Sequence, residues 1–325
     1  MSTASDWEIP AHAQPKPEDW SFDLDRALNS VLMLRAAIPS DAFTAGTLGT
    51  ERGGNAVVIR ADGLVLTIGY LITEADTIWL NTNDGRAVPG HVLAYDQETG
   101  FGLVQALGKL NIPPLPLGRS ARVRVGDRAI VAGGGGRQHA VTVRIAAKQE
   151  FAGYWEYLLD EAIFTSPAHP NWGGAALIVS DGTLAGIGSL HLQQAREHGP
   201  PEHLNMIVPI DLLPPILEDL TKIGRPGHPP RPWLGLYATE VEDKVVVAGL
   251  SNTGPAKRAG LKMGDILLAV GGDEIKDLAS LYRGIWRAGS AGSKVQMLVY
   301  RDGRTIDLDV KSADRSSFLK SPSLH

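Results

Sequence analysis

The chain has 325 residues, 43% of them apolar, with 37 Gly, 21 Pro and no Cys. That length leaves room for about two domains, and the composition suits a loop-rich globular protein of short strands without disulfide or thiolate chemistry. Its 31 basic and 36 acidic residues give a net charge of -5, no electrostatic footprint for nucleic acid, and no apolar run approaches the ~20 residues that span a bilayer.

From Met1 to about Ser21 the sequence is rich in Pro, Ala, Asp and Glu and lacks the basic start and apolar core of a secretory signal, which predicts a cytoplasmic protein. Trp7 and Trp20 stand in this polar stretch either as anchors for a neighbouring subunit or as cover for the domain's own surface. Between Asp23 and Ala37, residues Leu24, Ala27, Leu28, Val31 and Leu32 fall at helical spacing and predict one amphipathic helix, closed off near Pro39. Residues 1–44 are therefore read as an N-terminal extension carrying a helix.

From about Thr44 to Leu212 short β-branched runs alternate with Gly and Asp-Gly turns, the pattern of an all-β sandwich or barrel. Val57 to Ile59, Leu64 to Thr67, Thr77 to Leu80 and Gly102 to Val104 read as strands, with turns at Asp62-Gly63 and Asp84-Gly85. After a break near Leu107 to Pro116 the strands resume at Asp127 to Val131, Val141 to Ala147, Leu177 to Val179, Leu184 to Ile187 and Met206 to Pro209. Two six-stranded barrels need about this much chain. A helix follows over Leu212 to Lys222, and the Pro-rich stretch 223–231 reads as a semi-rigid connector.

The order of segments resembles the HtrA/DegP family of trypsin-like proteases with a C-terminal PDZ domain. The features that carry the resemblance are Gly53-Gly54, Asp62-Gly63 before Leu66-Thr67, Asn83 to Arg86, Leu117-Gly118, Val125 to Asp127, Asp181 to Ile187 and Ile207 to Ile210. Further on, Trp233 to Leu236 resembles the carboxylate-binding loop of such PDZ domains, and Ser251 to Gly272 is the most specific match in the chain. The resemblance implies a mainly β protein, a trypsin-like double barrel over 45–222 and a PDZ domain over 232–312, with a disordered tail over 313–325.

Family catalysis implies a His, an Asp and a Ser at three places. The general base would follow Leu66-Thr67-Ile68-Gly69, where Tyr70 stands, and a phenol is a poor base at neutral pH. The orienting carboxylate falls on Gly100 in Asp96 to Phe101, and the nucleophile motif, aligned without gaps on Pro170 to Leu177, places Gly173 on the Ser. A shift of one residue places Trp172 there, again without a hydroxyl. Asn171, in place of the first Gly of that motif, disturbs the turn that presents the oxyanion-hole amides. Three vacant roles point to an inactive protease that binds proteins as a scaffold or accessory subunit; the alternative is an active serine endopeptidase or amide hydrolase with a displaced catalytic group.

Other candidate groups carry less. His169 and His191 flank the motif and are expected to approach across the old cleft, but no carboxylate stands at ligand spacing beside them, and His198 and His203 lie in a polar loop. Gly133 to Gly136 lacks the Gly-Lys-Ser/Thr ending of a phosphate cradle and reads as a turn between strands. No cofactor or metal is expected.

In the C-terminal domain a helix over Leu278 to Ala288 places Leu278, Leu281, Tyr282, Ile285 and Trp286 on one face, as core, as a groove wall, or as both. The resemblance implies a peptide added as a strand beside Leu236 to Val241, its terminal carboxylate held by the amides of Trp233, Leu234, Gly235 and Leu236, with Leu278, Leu281, Tyr282 and Ile285 lining the groove. It also implies a homotrimer formed through the N-terminal part, for which the helix of Asp23 to Ala37 with Trp7 and Trp20 supplies an apolar surface.

Overall fold

Burial alternates along Val31–Ala37, with Leu34 and Ala36 inside and Arg35 and Ala37 outside, and the segment is a strand, β1, in place of the second half of the predicted helix. The helix that forms, α1, is confined to Leu24–Asn29, where the Asp23 carboxylate accepts from Arg26 N at 3.0 Å. Apolar spacing here fits both periods. The strand wins because β1 pairs on both sides and so satisfies its backbone within a barrel. The first barrel thus begins well before residue 45. This computed structural model describes residues 8–195 and 199–321.

Ala45–Leu48 forms a short helix, α2, ahead of β2 (Glu51–Val58), which is followed by β3 (Leu64–Ile68), β4 (Thr77–Asn81), β5 (Ala87–Tyr95) and β6 (Phe101–Ala106). They close in the order β1-β2-β3-β6-β5-β4, and Leu32, Val57, Leu66, Leu80, Phe101 and Leu103 on these strands are fully buried. A second closed barrel, β10-β11-β12-β9-β8-β7, is built from β7 (Arg128–Ala132), β8 (Ala140–Gly153), β9 (Tyr157–Ser166), β10 (Ala176–Ile178), β11 (Leu184–Gln194) and β12 (Glu202–Pro209). Its core gathers Val131, Val141, Ile145, Ile163, Leu177 and Ile207, with Ile9 of the N-terminal segment. Helix α3, Pro214–Ile223, starts at its two prolines and ends at Gly224, which is left-handed at φ 74.

The chain divides into two compact units, the second comprising Glu150–Asp160 and Gly227–Leu319. In this second unit β13 (Leu236–Val241), β14 (Lys244–Leu250), β15 (Ile266–Val270), β16 (Asp273–Glu274), β17 (Lys294–Arg301) and β18 (Arg304–Lys311) form one sheet, with helices α4 (Pro255–Arg258) and α5 (Leu278–Arg287). Asp277 and Ser280 close a capping box on α5, which lays Leu281, Tyr282 and Ile285 into the core with Leu236, Val247, Val299 and Val310. Leu158, from the β8–β9 hairpin, is part of that same core.

Two further expectations are corrected. The apolar stripe proposed for association is covered within its own unit, with Leu24 2% and Leu28 1% exposed, and Trp20 lies under the Arg128 guanidinium at 5.5 Å. Trp7 lies outside the described residues. The expected disordered tail is ordered through Ser321: Ala313 exchanges both backbone bonds with Trp233 at 3.0 Å, and Arg315–Phe318 forms a 3-10 turn. In the first unit Lys320 N donates to the Glu74 carboxylate at 2.9 Å. Ser323 and its neighbours lie outside the described residues.

Candidate functional site

The first place to consider is where the two barrels face each other. Tyr70 stands in a 3-10 turn after β3, Gly100 immediately before β6, and Gly173 in the loop before β10. These positions are brought together: Gly69 N donates to Gly100 O at 2.7 Å, and a Cβ built on Gly173 meets Tyr70 Oη at 2.7 Å. Tyr70 Oη donates to Ser189 O at 3.0 Å. Burial pushes the phenol well above its ordinary value, with a hydrogen bond from Trp172 acting the other way, so the group stays protonated.

The loop before β10 is held by a residue that no motif marks in the sequence. Asn55, fully buried on β2, donates from Nδ2 to Asn171 O at 2.8 Å and to Gly173 O at 3.1 Å, while its backbone N donates to Gly173 O at 2.8 Å. Its Oδ1 accepts from Gly134 N at 3.0 Å. The approach is close enough that a Cβ on Gly174, which has φ 75, would sit 1.9 Å from Asn55 O. The signal in the sequence was a lone amide between two glycines and an apolar strand.

His169 and His191 do not meet. His169 is fully buried; its Nε2 lies 2.9 Å from His139 O and its Nδ1 accepts from Asn171 N at 3.1 Å. A carbonyl can only accept, so the ring is the neutral Nε2–H tautomer, and burial further holds its pKa down. The Asn171 amide is thereby directed at an imidazole. His191 instead stacks between Trp172 and His203, with its Nε2 3.1 Å from His203 Nδ1. Burial and then the His203 charge lower its pKa. His198 lies outside the described residues. Among the described residues no three His, Asp or Glu side chains are placed to hold a metal ion, and no helix is long and apolar enough to cross a membrane. The loop Gly133 to Gly136 is a turn between β7 and β8, its Gly134 pressed against the β1 backbone.

The second place lies in the C-terminal unit. The amides of Leu234 and Leu236 converge on one carboxylate, that of Glu156, at 3.0 and 2.8 Å, and the Gly235 amide contributes to the same group. Leu234, Leu236, Leu281, Tyr282 and Ile285 are at most 1% exposed, and Leu278 and Trp233 only slightly more. The face of α5 is therefore core along this stretch. Glu156 was not singled out from sequence: it is a lone acid in an aromatic run, 78 residues from the nearer of the amides it meets.

Two β-barrels joined by such a contact are the architecture of the trypsin-like fold, and a family model for the trypsin-like peptidase domain matches residues 54–187. A PDZ domain model matches residues 232–312. The chain is thus an HtrA/DegP-like protein, a trypsin-like peptidase domain followed by a PDZ domain, and its homologues are DegP and HtrA serine proteases. A probable periplasmic serine endoprotease DegP-like of Pseudomonas putida is 30% identical over 275 residues, covering 79% of this chain and 55% of its own length. A serine protease Do-like HtrA of Lactobacillus helveticus is 26% identical over 291 residues, covering 82% of this chain and 70% of its own. Among solved structures, the HtrA-type protease AlgW with tripeptide matches 92% of this chain and 97% of its own at 25% identity, with a TM-score of 0.53. The chain spans about half, 55%, of the length of the first curated relatives it matches.

The expectation of a cytoplasmic location is overturned by these relatives, several of which are named as periplasmic endoproteases. An N-terminal stretch without a leader pattern does not report compartment.

Proposed function

We propose that this is a catalytically inactive HtrA-like protein that works by binding other proteins, with its PDZ domain as the peptide site. The observation that carries this reading is the pairing of Tyr70 with Gly173: the space a nucleophile's side chain would need is taken by a phenol 2.7 Å away. Gly100 offers no carboxylate, and Asn171 N, a candidate oxyanion-hole donor, is engaged by His169 Nδ1 at 3.1 Å. A neutral, buried His169 with both ring nitrogens engaged offers no general base.

The relatives' names favour a second reading, a serine endopeptidase or amide hydrolase with a displaced catalytic group, in the periplasm where those relatives are named. Incubation with an unfolded casein and a fluorophosphonate probe separates the two. Specific, stoichiometric labelling with casein cleavage would overturn the inactive reading; neither is expected.

Peptide binding is proposed for the loop Trp233, Leu234, Gly235 and Leu236, with Leu278, Leu281, Tyr282 and Ile285 on the facing helix. The convergence of loop amides on a carboxylate supports it, as does the relative whose structure is described with a tripeptide. A homotrimer or an accessory role in a larger complex is proposed by likeness alone, since the apolar stripe of α1 is covered. Light scattering that returns a monomer at micromolar concentration would remove the homotrimer, and affinity purification from the native cell that brings down no other protein would remove the accessory role.

A further inference from the structure

Residues 150–160, the tip of the β8–β9 hairpin, belong to the same compact unit as the PDZ domain, and they sit where a peptide would sit. Glu156, left-handed at φ 59 and only 5% exposed, delivers its carboxylate to the loop amides: Oε1 accepts from Leu236 N at 2.8 Å and Oε2 from Leu234 N at 3.0 Å. Two residues earlier, Tyr154 O accepts from Ala238 N of β13 at 3.0 Å, a backbone bond of the kind an added strand makes. Gly153 O accepts from Tyr282 Oη on α5 at 2.7 Å, and Arg283 of the same helix pairs with Glu150 and Asp160 on the two arms of the hairpin. Ala152 and Leu158 pack into the domain's core. A buried carboxylate needs this many donors to stay there, and the loop supplies them.

We propose that the PDZ groove is occupied by the chain's own β8–β9 hairpin, with the Glu156 side chain standing in for a C-terminal carboxylate, so that an external peptide terminus binds only by displacing it. The inference rests on the reading of this groove as a peptide site. It assigns the groove two mutually exclusive ligands of one chemistry, an internal acidic side chain and a free C-terminal carboxylate on an apolar peptide. It also makes the apparent affinity for the external one the intrinsic affinity reduced by the fraction of molecules with the hairpin withdrawn.

The test uses the full chain and its variants Glu156→Gln, which keeps the side chain's volume, and Glu156→Ala. Binding of a dye-labelled peptide ending in three valines with a free carboxylate is read by fluorescence polarisation, with the amidated peptide as control. Glu156→Ala removes both acceptor oxygens, and Glu156→Gln puts in place of one of them an NH2 group that can only donate and so faces a loop N–H, a loss that holds against either protonation state of the native side chain. Both variants are therefore expected to bind about ten- to hundred-fold more tightly than the unaltered chain. In parallel, hydrogen exchange reads the amides of Leu234, Gly235 and Leu236, expected to be protected in the unaltered chain and to lose protection in both variants, with circular dichroism reporting that each variant is folded. Unchanged protection in the folded variants, or equal peptide affinity for all three proteins, overturns the self-occupied groove. Lost protection without peptide binding by either variant keeps the hairpin contact and removes the reading of the groove as a peptide site.

Discussion

Tyr70 Oη donates to Ser189 O at 3.0 Å and lies 2.7 Å from where a Cβ on Gly173 would stand. The phenol and the glycine are therefore a matched pair: the larger group occupies what the smaller one vacates. Restoring a hydroxyl at Gly173 does not restore the room it needs.

Gly173→Ser alone is expected to lower stability by about 1–3 kcal/mol, the usual range for overpacking a close-packed interior. It is expected to yield no labelling by a fluorophosphonate probe, because no base or orienting carboxylate accompanies the new hydroxyl. The double variant Tyr70→His with Gly173→Ser relieves the clash and recovers part of the lost stability. Thermal unfolding of the three proteins checks the order. A single variant as stable as the unaltered chain would mean that the loop before β10 moves freely.

Asn55→Ala leaves Gly134 N and the carbonyls of Asn171 and Gly173 without their side-chain partner. Each buried polar group left unpaired costs roughly 1–3 kcal/mol, and the carbonyl of Gly173 keeps its backbone bond, so the sum is moderated. Urea unfolding is expected to show a loss of about 2–4 kcal/mol with an unchanged slope.

Much of the fold could be read from local chemistry: the Asp62-Gly63 turn before Leu64, the strand Leu64 to Thr67 and the one-sided helix after Asp277 each follow from residues close together in the chain. Val31–Ala37 could not, because its apolar residues fit helix and strand alike and the choice is made by β2 and β4, its neighbours in the barrel. The site divides in the same way. Tyr70, Gly100 and Gly173 are visible because family spacing marks their places, whereas Asn55 and Glu156 act on partners 116 and 78 residues away and carry no local mark. The order of the tail is not legible either, because polar composition says nothing of the Lys320 amide that Glu74 receives.

Glu74 gives the first unit an acid-sensitive fastening. Burial acts to raise its carboxyl, but the Thr44 hydroxyl and the amides of Lys320, Thr44 and Phe43 outweigh it and hold the group below its ordinary 4.5. The unfolded chain therefore takes up its proton first, so the stabilisation is present above about pH 4.5 and is lost as pH falls through the depressed folded value. Melting temperatures measured from about pH 6 to about pH 3 are expected to fall less steeply for Glu74→Gln than for the unaltered chain, with the two curves converging in acid. Parallel curves would show that this carboxylate is not linked to folding.

Glu156 carries the opposite sign. Burial, the largest influence, pushes its carboxyl up from 4.5 to about 7, while the amides of Leu236, Leu234 and Gly235 and the charge of Arg315 pull it down less strongly. The other titratable groups acting with it are phenols: Tyr237 on β13 and Tyr282 on α5, both raised by burial and neutral throughout this range. With the hairpin seated, the group binds its proton more tightly than when released into water, so the seated state gains most below about 4.5 and loses that gain as pH rises through about 7. A C-terminal carboxylate titrates near ~3.5 and is ionised across the whole window. Affinity of the unaltered chain for an apolar peptide terminus is therefore expected to rise between about pH 5 and about pH 8, while Glu156→Gln, with nothing to titrate at that position, stays level. Fluorescence polarisation at matched ionic strength checks it. The same rise in both proteins would place the titrating group elsewhere.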